Sequence, residues 1–176
     1  MNKQISRRTF IGGAAALAGA AMLPRYARAA DAKPNSNFNG VQIGVITYSY
    51  RSMPSRAEDL LKYIVQCGIN SVELMGDAAE GFAKAHTPAT GIGGPMDGYE
   101  ALRKLYNDAG VNIHIVKFGN IGDDDMSEEQ MEYYFQATKA CGAKGITREL
   151  TDDVALVKKL GPLADKHEIY IGFHNH

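Results

Sequence analysis

Cysteine is scarce in the 176-residue sequence, which contains only Cys67 and Cys141. Each stands directly before a glycine at the predicted end of a helix, so we expect two small buried core side chains and no disulfide. The sequence also lacks a G-x-G-x-x-G motif after its first predicted strand. That absence argues against a dinucleotide-binding fold, in which those glycines let the backbone approach the pyrophosphate.

Long apolar runs are missing as well. The apolar stretch near the N-terminus is shorter than the about 20 residues that a membrane-spanning helix needs. It follows the paired Arg7 and Arg8 of SRRTFIGG and precedes an A-x-A motif at residues 27–29, which is typical of a cleaved twin-arginine (Tat) signal peptide. We assign residues 1–29 to this signal and residues 30–40 to a linker. An ordinary secretory signal with two chance arginines is the alternative.

Export through the twin-arginine pathway predicts a periplasmic or otherwise exported protein with no stable membrane anchor after signal removal. Proteins that use this pathway fold before export, often with a cofactor already bound, which is a first indirect hint of a metal ion or similar ligand.

Positive charge is in short supply once the signal is removed. The whole chain has 19 basic and 20 acidic residues, and residues 1–29 hold five of the basic ones and none of the acidic ones. The remainder therefore has 14 basic and 20 acidic residues, a net charge of −6 with histidine neutral. A protein that binds nucleic acid needs a basic surface, so nucleic acid is excluded as the expected partner.

The rest of the sequence repeats one unit, a strand followed by a helix. Glycines at positions 68, 110 and 142 each end a predicted helix and precede a strand, as expected for a left-handed residue after a helix C-terminus. The predicted strands are residues 42–50, 71–76, 111–119, 144–150 and 168–176, and residues 77–98 are expected to be a long loop. This alternation predicts an α/β protein with a parallel sheet, and the spacing leaves a barrel and a doubly wound sheet both open.

Polar side chains collect on one face of these predicted strands, near the strand ends: Tyr48, Glu73, Glu149, His174 and His176. A parallel strand that is buried on both faces is nearly continuous in aliphatic residues. The polar face therefore predicts a site at the carboxyl ends of the strands.

Two of these candidates have a structural alternative. Glu73 is equally consistent with a buried carboxylate that bonds to a neighbouring strand. Glu149 is also consistent with a structural ion pair to Arg148 or to a lysine on the rim. The third predicted strand is also undecided. Either the set His114, Val116 and Phe118 or the set Ile113, Ile115 and Lys117 lies on the polar face.

Four stretches, IGVITYSY, CGINSVEL, CGAKGITREL and IYIGFHNH, resemble the xylose isomerase-like TIM-barrel superfamily, in particular its sugar phosphate isomerase/epimerase-type proteins. The resemblance implies a (β/α)₈ TIM barrel, with residues 41–176 as its N-terminal part of about five strands and four helices. A complete barrel needs roughly 250 residues, so we expect a chain that is truncated after its fifth strand and inactive by itself.

The resemblance also implies the chemistry of the full-length parent, a divalent-metal-dependent isomerase or epimerase that abstracts a proton next to the carbonyl of a sugar. Glu149 then corresponds to the first ligand of one Mn²⁺, Mg²⁺, Co²⁺ or Zn²⁺ ion and to a catalytic group. His176 is the second catalytic candidate, and Tyr48, Glu73 and His174 are expected to contact the substrate. The other metal ligands belong to strands that the sequence does not contain.

Several other functions stay open within this resemblance. They are a non-catalytic periplasmic sugar-binding barrel, a dehydratase of the same superfamily and, least favoured by the acidic charge, an endonuclease-like hydrolase. A homo-oligomer is left open too.

Overall fold

The structure is a computed structural model that describes residues 33–87 and 93–175. The predicted signal peptide and His176 lie outside the described residues. The first elements are β1 (Asn37–Phe38) and β2 (Val41–Gln42), which pair as a short antiparallel hairpin. This hairpin begins within the segment that was predicted to be a linker.

Five parallel strands form the main sheet: β3 (Val45–Ile46), β4 (Ser71–Met75), β5 (Asn112–Lys117), β6 (Gly145–Glu149) and β7 (Tyr170–His174). Their order in the sheet, β3-β4-β5-β6-β7, is their order in the chain. A doubly wound sheet changes direction at a switch point, whereas the strands of a (β/α)₈ barrel follow one another. The α/β fold is therefore that of the first five strands of a TIM barrel, which decides the question that the sequence left open.

The described helices are α1 (Ala57–Gln66), α2 (Gly76–His86), α3 (Asp97–Asp108), α4 (Glu128–Ala140) and α5 (Val154–His167). Both α2 and α3 lie between β4 and β5, so the predicted count of four helices is wrong by one. The error comes from residues 77–98, where a loop was predicted and α2 is found. In DAAEGFAKAH, Ala78, Ala79, Phe82 and Ala83 are buried at helical spacing and pack on the core.

In the sequence, Ser127 followed three residues later by Gln130 predicts a capping box at the start of a helix, and α4 begins there. The Ser127 hydroxyl accepts a hydrogen bond from the Gln130 N–H, and the Gln130 side chain accepts one from the Ser127 N–H, at 3.2 and 2.8 Å. This reciprocal capping box satisfies two backbone donors that the first turn would otherwise leave unpaired.

The first predicted strand, residues 42–50, is shorter in the structure. Only Val45–Ile46 pairs with β4, and Thr47–Tyr50 forms a turn of 3₁₀ helix. The Thr47 hydroxyl accepts a hydrogen bond from the N–H of Met75 at 3.0 Å, which joins this turn to the end of β4. Tyr48 consequently lies beyond the strand, in the turn that follows it.

A bulge in β5 explains why the face of this strand was undecided. Val72 is opposite Ile113 and Glu73 is opposite Ile115, so His114 is an extra residue in β5. Ile113 and Val116 are both buried in the core under the helices, which strict alternation would forbid. Neither predicted set is therefore right as a whole.

The two cysteines have different environments. Cys141 is 1% exposed in the core, and burial raises the pKa of its thiol to about 12. Cys67 is exposed, and the prediction that it is a core residue is wrong. It follows α1 directly, at the end of the helix, where the Tyr50 hydroxyl lies 3.6 Å from its sulfur.

Candidate functional site

The candidate site lies on the face of the main sheet that is turned away from the helix-packed core. We call it the polar face and define it by Glu73, Lys117, Thr147, Glu149 and His174. The strand register places Lys117 opposite Thr147, and Glu149 opposite His174. Because carboxyl ends of neighbouring parallel strands meet at one edge, Lys117, Glu149 and His174 cluster at the mouth where a TIM barrel carries its chemistry.

An ion pair between Lys117 and Glu149 dominates this edge. The Lys117 Nζ is 2.6 Å from Oε1 of Glu149, and the lysine side chain is only 9% exposed against 45% for the glutamate. The His114 bulge brings Lys117 to the polar face while Val116 stays in the core. Glu149 therefore has a lysine partner, but a buried one at the end of β5, and its predicted role as a ligand and catalytic group remains a prediction.

Arg148, the other partner considered for Glu149, points to the opposite side of the sheet. Its Nη1 donates to the carbonyl oxygen of Ile121 at 2.6 Å and lies 3.3 Å from a carboxylate oxygen of Asp123. Its Nε donates to the backbone carbonyl of Glu149 at 3.0 Å. Arg148 therefore ties the segment after β5 to the end of β6 and holds the backbone at Glu149 in place.

Glu73 lies one layer further from the mouth. Its Oε1 accepts a hydrogen bond from the Thr147 hydroxyl at 2.5 Å, across the intervening strand β5. Contacts between side chains of alternate strands are how a TIM barrel fills its interior in layers. This contact agrees with the structural alternative for Glu73, and its predicted role in substrate binding remains a prediction.

A second polar contact on this side joins β5 to β7. The Tyr170 hydroxyl is 3.0 Å from Nε2 of His114, and the Tyr170 ring lies so close to Gly145 that a Cβ there would collide with it. Burial raises the pKa of Tyr170, and the nearby Glu73 carboxylate raises it further. The sequence did not predict the contacts of Tyr170, His114, Thr147 and Lys117, because these contacts depend on the bulge and on which strands are neighbours.

Tyr48 lies apart from the ion pair, in the turn after β3. Its side chain is 53% exposed, and the guanidinium carbon of Arg51 is 4.9 Å from the centre of its ring. Tyr48 lines a cavity of about 590 Å³ together with residues from α1 and α2. The structure thus brings Glu149 and His174 together and places Glu73 beneath them, whereas Tyr48 is beside this group and His176 is outside the described residues.

Whether these residues can bind a divalent metal ion depends on the ligand atoms that their side chains provide. Carboxylate and imidazole, as on Glu149 and His174, are groups that bind such ions. Within residues 33–87 and 93–175, however, no three His, Cys, Asp or Glu side chains converge as a metal site, and Glu149 already pairs with an ammonium. The described residues thus offer Glu149 as the predicted ligand, with His174 beside it, and do not complete a metal site.

A comparison with protein-family models matches residues 4–24 to the TAT (twin-arginine translocation) pathway signal sequence. The match lies within the predicted signal peptide and confirms it as a Tat signal, so the chain is directed to export by the twin-arginine pathway. In the part of the chain that the structure describes, no helix has the length and apolar character to cross a membrane.

Solved structures share the fold at low sequence identity. The probable 3-DHS dehydratase AsbF, involved in petrobactin synthesis in Bacillus anthracis, is 14% identical with a TM-score of 0.58. An uncharacterized protein from Parabacteroides distasonis is 18% identical with a TM-score of 0.54. Each match covers 77% of this chain and 53% of the other, so the chain spans about half the length of the barrels it matches.

A third structure, D-psicose 3-epimerase, is 14% identical with a TM-score of 0.49 over 77% of this chain and 55% of its own. No curated protein sequence matches the chain. The first two matches, at these identities, establish the fold alone, and the function of the site depends on its own residues.

Proposed function

We propose that this chain is part of an enzyme that isomerises or epimerises a sugar or sugar derivative by removing a proton next to a carbonyl. The observation that carries the proposal is the ion pair of Glu149 with the buried Lys117 at the carboxyl edge of the sheet. An oriented carboxylate at the mouth of a barrel has the chemistry of a general base. The sequence resemblance to sugar isomerases and epimerases supplies the substrate class.

The activity is assigned to a barrel that further strands complete, since the described chain supplies five. In this proposal Glu149 takes the proton from the carbon beside the carbonyl. The electron pair of that C–H bond passes into the carbonyl and gives an enediolate. A proton returned to the other face of the same carbon gives the epimer, and one returned to the neighbouring carbon, with transfer between the two oxygens, gives the isomer.

Lys117 serves in this scheme as a positioning residue. Its ammonium holds one oxygen of Glu149 at 2.6 Å and so fixes the orientation of the carboxylate. His174, in register with Glu149, is proposed to contact substrate hydroxyls, as are Tyr48 and Glu73. His176 is proposed as the second catalytic group, which returns the proton.

We also propose that one divalent cation, Mn²⁺, Mg²⁺, Co²⁺ or Zn²⁺, belongs to the complete site, with Glu149 as one ligand and the others outside the described residues. When bound, such an ion polarises a carbonyl and stabilises the negative charge that develops on its oxygen.

A dehydratase of the same fold is the second candidate, and the structural match to AsbF favours it. Its first step is the same proton abstraction, and the two reactions diverge when hydroxide leaves the adjacent carbon. A non-catalytic sugar-binding barrel of the periplasm is the third candidate, and it needs no general base.

Isotope exchange distinguishes the three candidates. The protein encoded by the complete reading frame is incubated in D₂O with a panel of aldoses, ketoses and sugar acids, with Mn²⁺ or with a chelator. We expect one deuterium per turnover at carbon with no loss of water, and loss of exchange on chelation. A product lighter by one water assigns the dehydratase, and binding without any exchange refutes the enzymatic proposal.

A further inference from the structure

The cavity beside Tyr48 has the composition of a binding site for an anionic group. It has a volume of about 590 Å³, within the roughly 300–1,000 Å³ that small-molecule sites usually have. Thr47, which follows β3, and Met75, which ends β4, both line it. The cavity therefore opens at the carboxyl edge of the sheet, the same edge that carries Glu149 and His174.

The charged side chains of this cavity are not equivalent. Arg56 is engaged, because its Nη2 is 2.9 Å from Oε1 of Glu58. Arg51 stacks on Tyr48 at 4.9 Å, and no carboxylate among the described residues pairs with it. A guanidinium held over an aromatic ring keeps its planar fork of N–H donors available for two oxygens of one anion.

The other lining groups suit the rest of such a ligand. Asp77 supplies carboxylate oxygens that accept hydrogen bonds from hydroxyl groups. Phe82 and Tyr48 supply apolar ring surface against which the carbon skeleton of a small ligand packs. Apart from the Arg56–Glu58 pair, the lining thus offers one cation for an anion, one carboxylate that accepts hydrogen bonds from hydroxyls, and aromatic rings, which suits an anionic polyhydroxylated molecule.

We propose that this cavity binds the anionic end of the substrate, a carboxylate or a phosphate, and that Arg51 is the residue that recognises it. The proposal rests on the proposed function, since it narrows the sugar derivative of that reaction to a sugar acid or a phosphorylated sugar. The shared chemistry is a pair of anionic oxygens in one plane, which the guanidinium binds through two parallel hydrogen bonds.

Equilibrium binding tests the proposal independently of turnover. D-gluconate, D-glucose 6-phosphate and D-glucose are each titrated into the protein encoded by the complete reading frame. We expect at least one of the two anions to bind about tenfold more tightly than glucose, as a charge-assisted bidentate contact provides. Preference for gluconate identifies a carboxylate site, preference for glucose 6-phosphate a phosphate site, and equal affinity a site for either.

Two variants assign the effect to Arg51. Arg51→Gln should remove the preference for the anion and leave the affinity for glucose unchanged, and Arg51→Lys should retain part of it. Arg103→Gln is the control, because it removes an exposed guanidinium on α3 that does not line the cavity. Unchanged circular dichroism spectra verify the fold of each variant.

Equal binding of glucose and both anions, no binding of any of the three, or an equal loss in Arg103→Gln would overturn the proposal. If the protein exchanges deuterium but does not prefer the anions, the anion site is refuted and the isomerase proposal stands. If it prefers an anion but shows no exchange, the isomerase proposal is refuted and the anion site stands.

Discussion

Removing the two partners of the Lys117–Glu149 ion pair one at a time should affect stability unequally. The lysine side chain is 9% exposed and the glutamate side chain 45% exposed. In Glu149→Gln the ammonium of Lys117 stays buried and loses the carboxylate that balances its charge. In Lys117→Met the carboxylate is left where water can reach it, and the methionine stem still fills the volume.

The expected magnitudes follow from this difference in exposure. Breaking a fully buried pair costs about 3–5 kcal/mol and an exposed pair about 0–1 kcal/mol. We expect about 2–3 kcal/mol of lost unfolding free energy for Glu149→Gln and about 1 kcal/mol for Lys117→Met. The double variant should recover part of the larger loss, because the uncompensated ammonium is gone.

The assay is urea unfolding followed by far-ultraviolet circular dichroism, since the sequence contains no tryptophan to report fluorescence. Lys104→Met is a matched control. Its pair with Asp108 has the same 2.6 Å separation, but both side chains are largely exposed. We expect a change within about 0.5 kcal/mol there. An equal or larger loss for Lys117→Met than for Glu149→Gln would refute the argument from burial.

Three further changes test individual contacts and one titrating group elsewhere in the fold. Gly145→Ala should cost about 1–3 kcal/mol in urea unfolding, because the added methyl collides with the ring of Tyr170. Tyr106→Phe should cost about 1–2 kcal/mol in the same assay, since it leaves the buried carbonyl of Ala57 without the donor now at 2.8 Å; no measurable loss would contradict this. Burial raises the pKa of Glu80 above its usual 4.5. The carboxyl of Glu80 therefore keeps its proton to higher pH in the folded state than in the unfolded state. The free energy of unfolding should fall as pH rises from the unfolded-state pKa to the folded-state pKa. Glu80→Gln should therefore flatten this fall in a pH series of unfolding curves, and an unchanged slope would contradict it.

Local signals in the sequence predicted the elements that local chemistry determines. The Ser127 capping box, and the left-handed glycines at positions 68, 110 and 142, mark helix ends correctly because a few adjacent residues decide them. Alternation also predicted Glu149 on the polar face of β6, and in the structure Glu149 pairs with Lys117 there while Arg148 points to the opposite side. The pattern of strands and helices did not predict the order of the strands in the sheet, since a barrel and a doubly wound sheet use the same βα units.

The parts that the sequence did not predict depend on contacts between distant residues. The bulge at His114 shifts Lys117 to the polar face, and it is visible only in the register of β4 against β5. Residues 77–86 of α2 were predicted as a loop because the glycines between positions 76 and 94 are typical of loops. The short run of alanines that are buried in α2 is a weaker signal for a helix. Cys67 was placed in the core by residue type, although its position at the end of α1 exposes it.

Removal of a proton by Glu149 from a carbon next to a carbonyl can be measured as isotope exchange. The quantity is the rate at which the protein encoded by the complete reading frame exchanges a sugar C–H for deuterium in D₂O. We expect Glu149→Gln to lower this rate by at least roughly 10²-fold, as loss of a general base does. Glu132→Gln, a carboxylate on α4 that pairs with Lys166, should leave it unchanged. Exchange at the wild-type rate in Glu149→Gln would contradict the account.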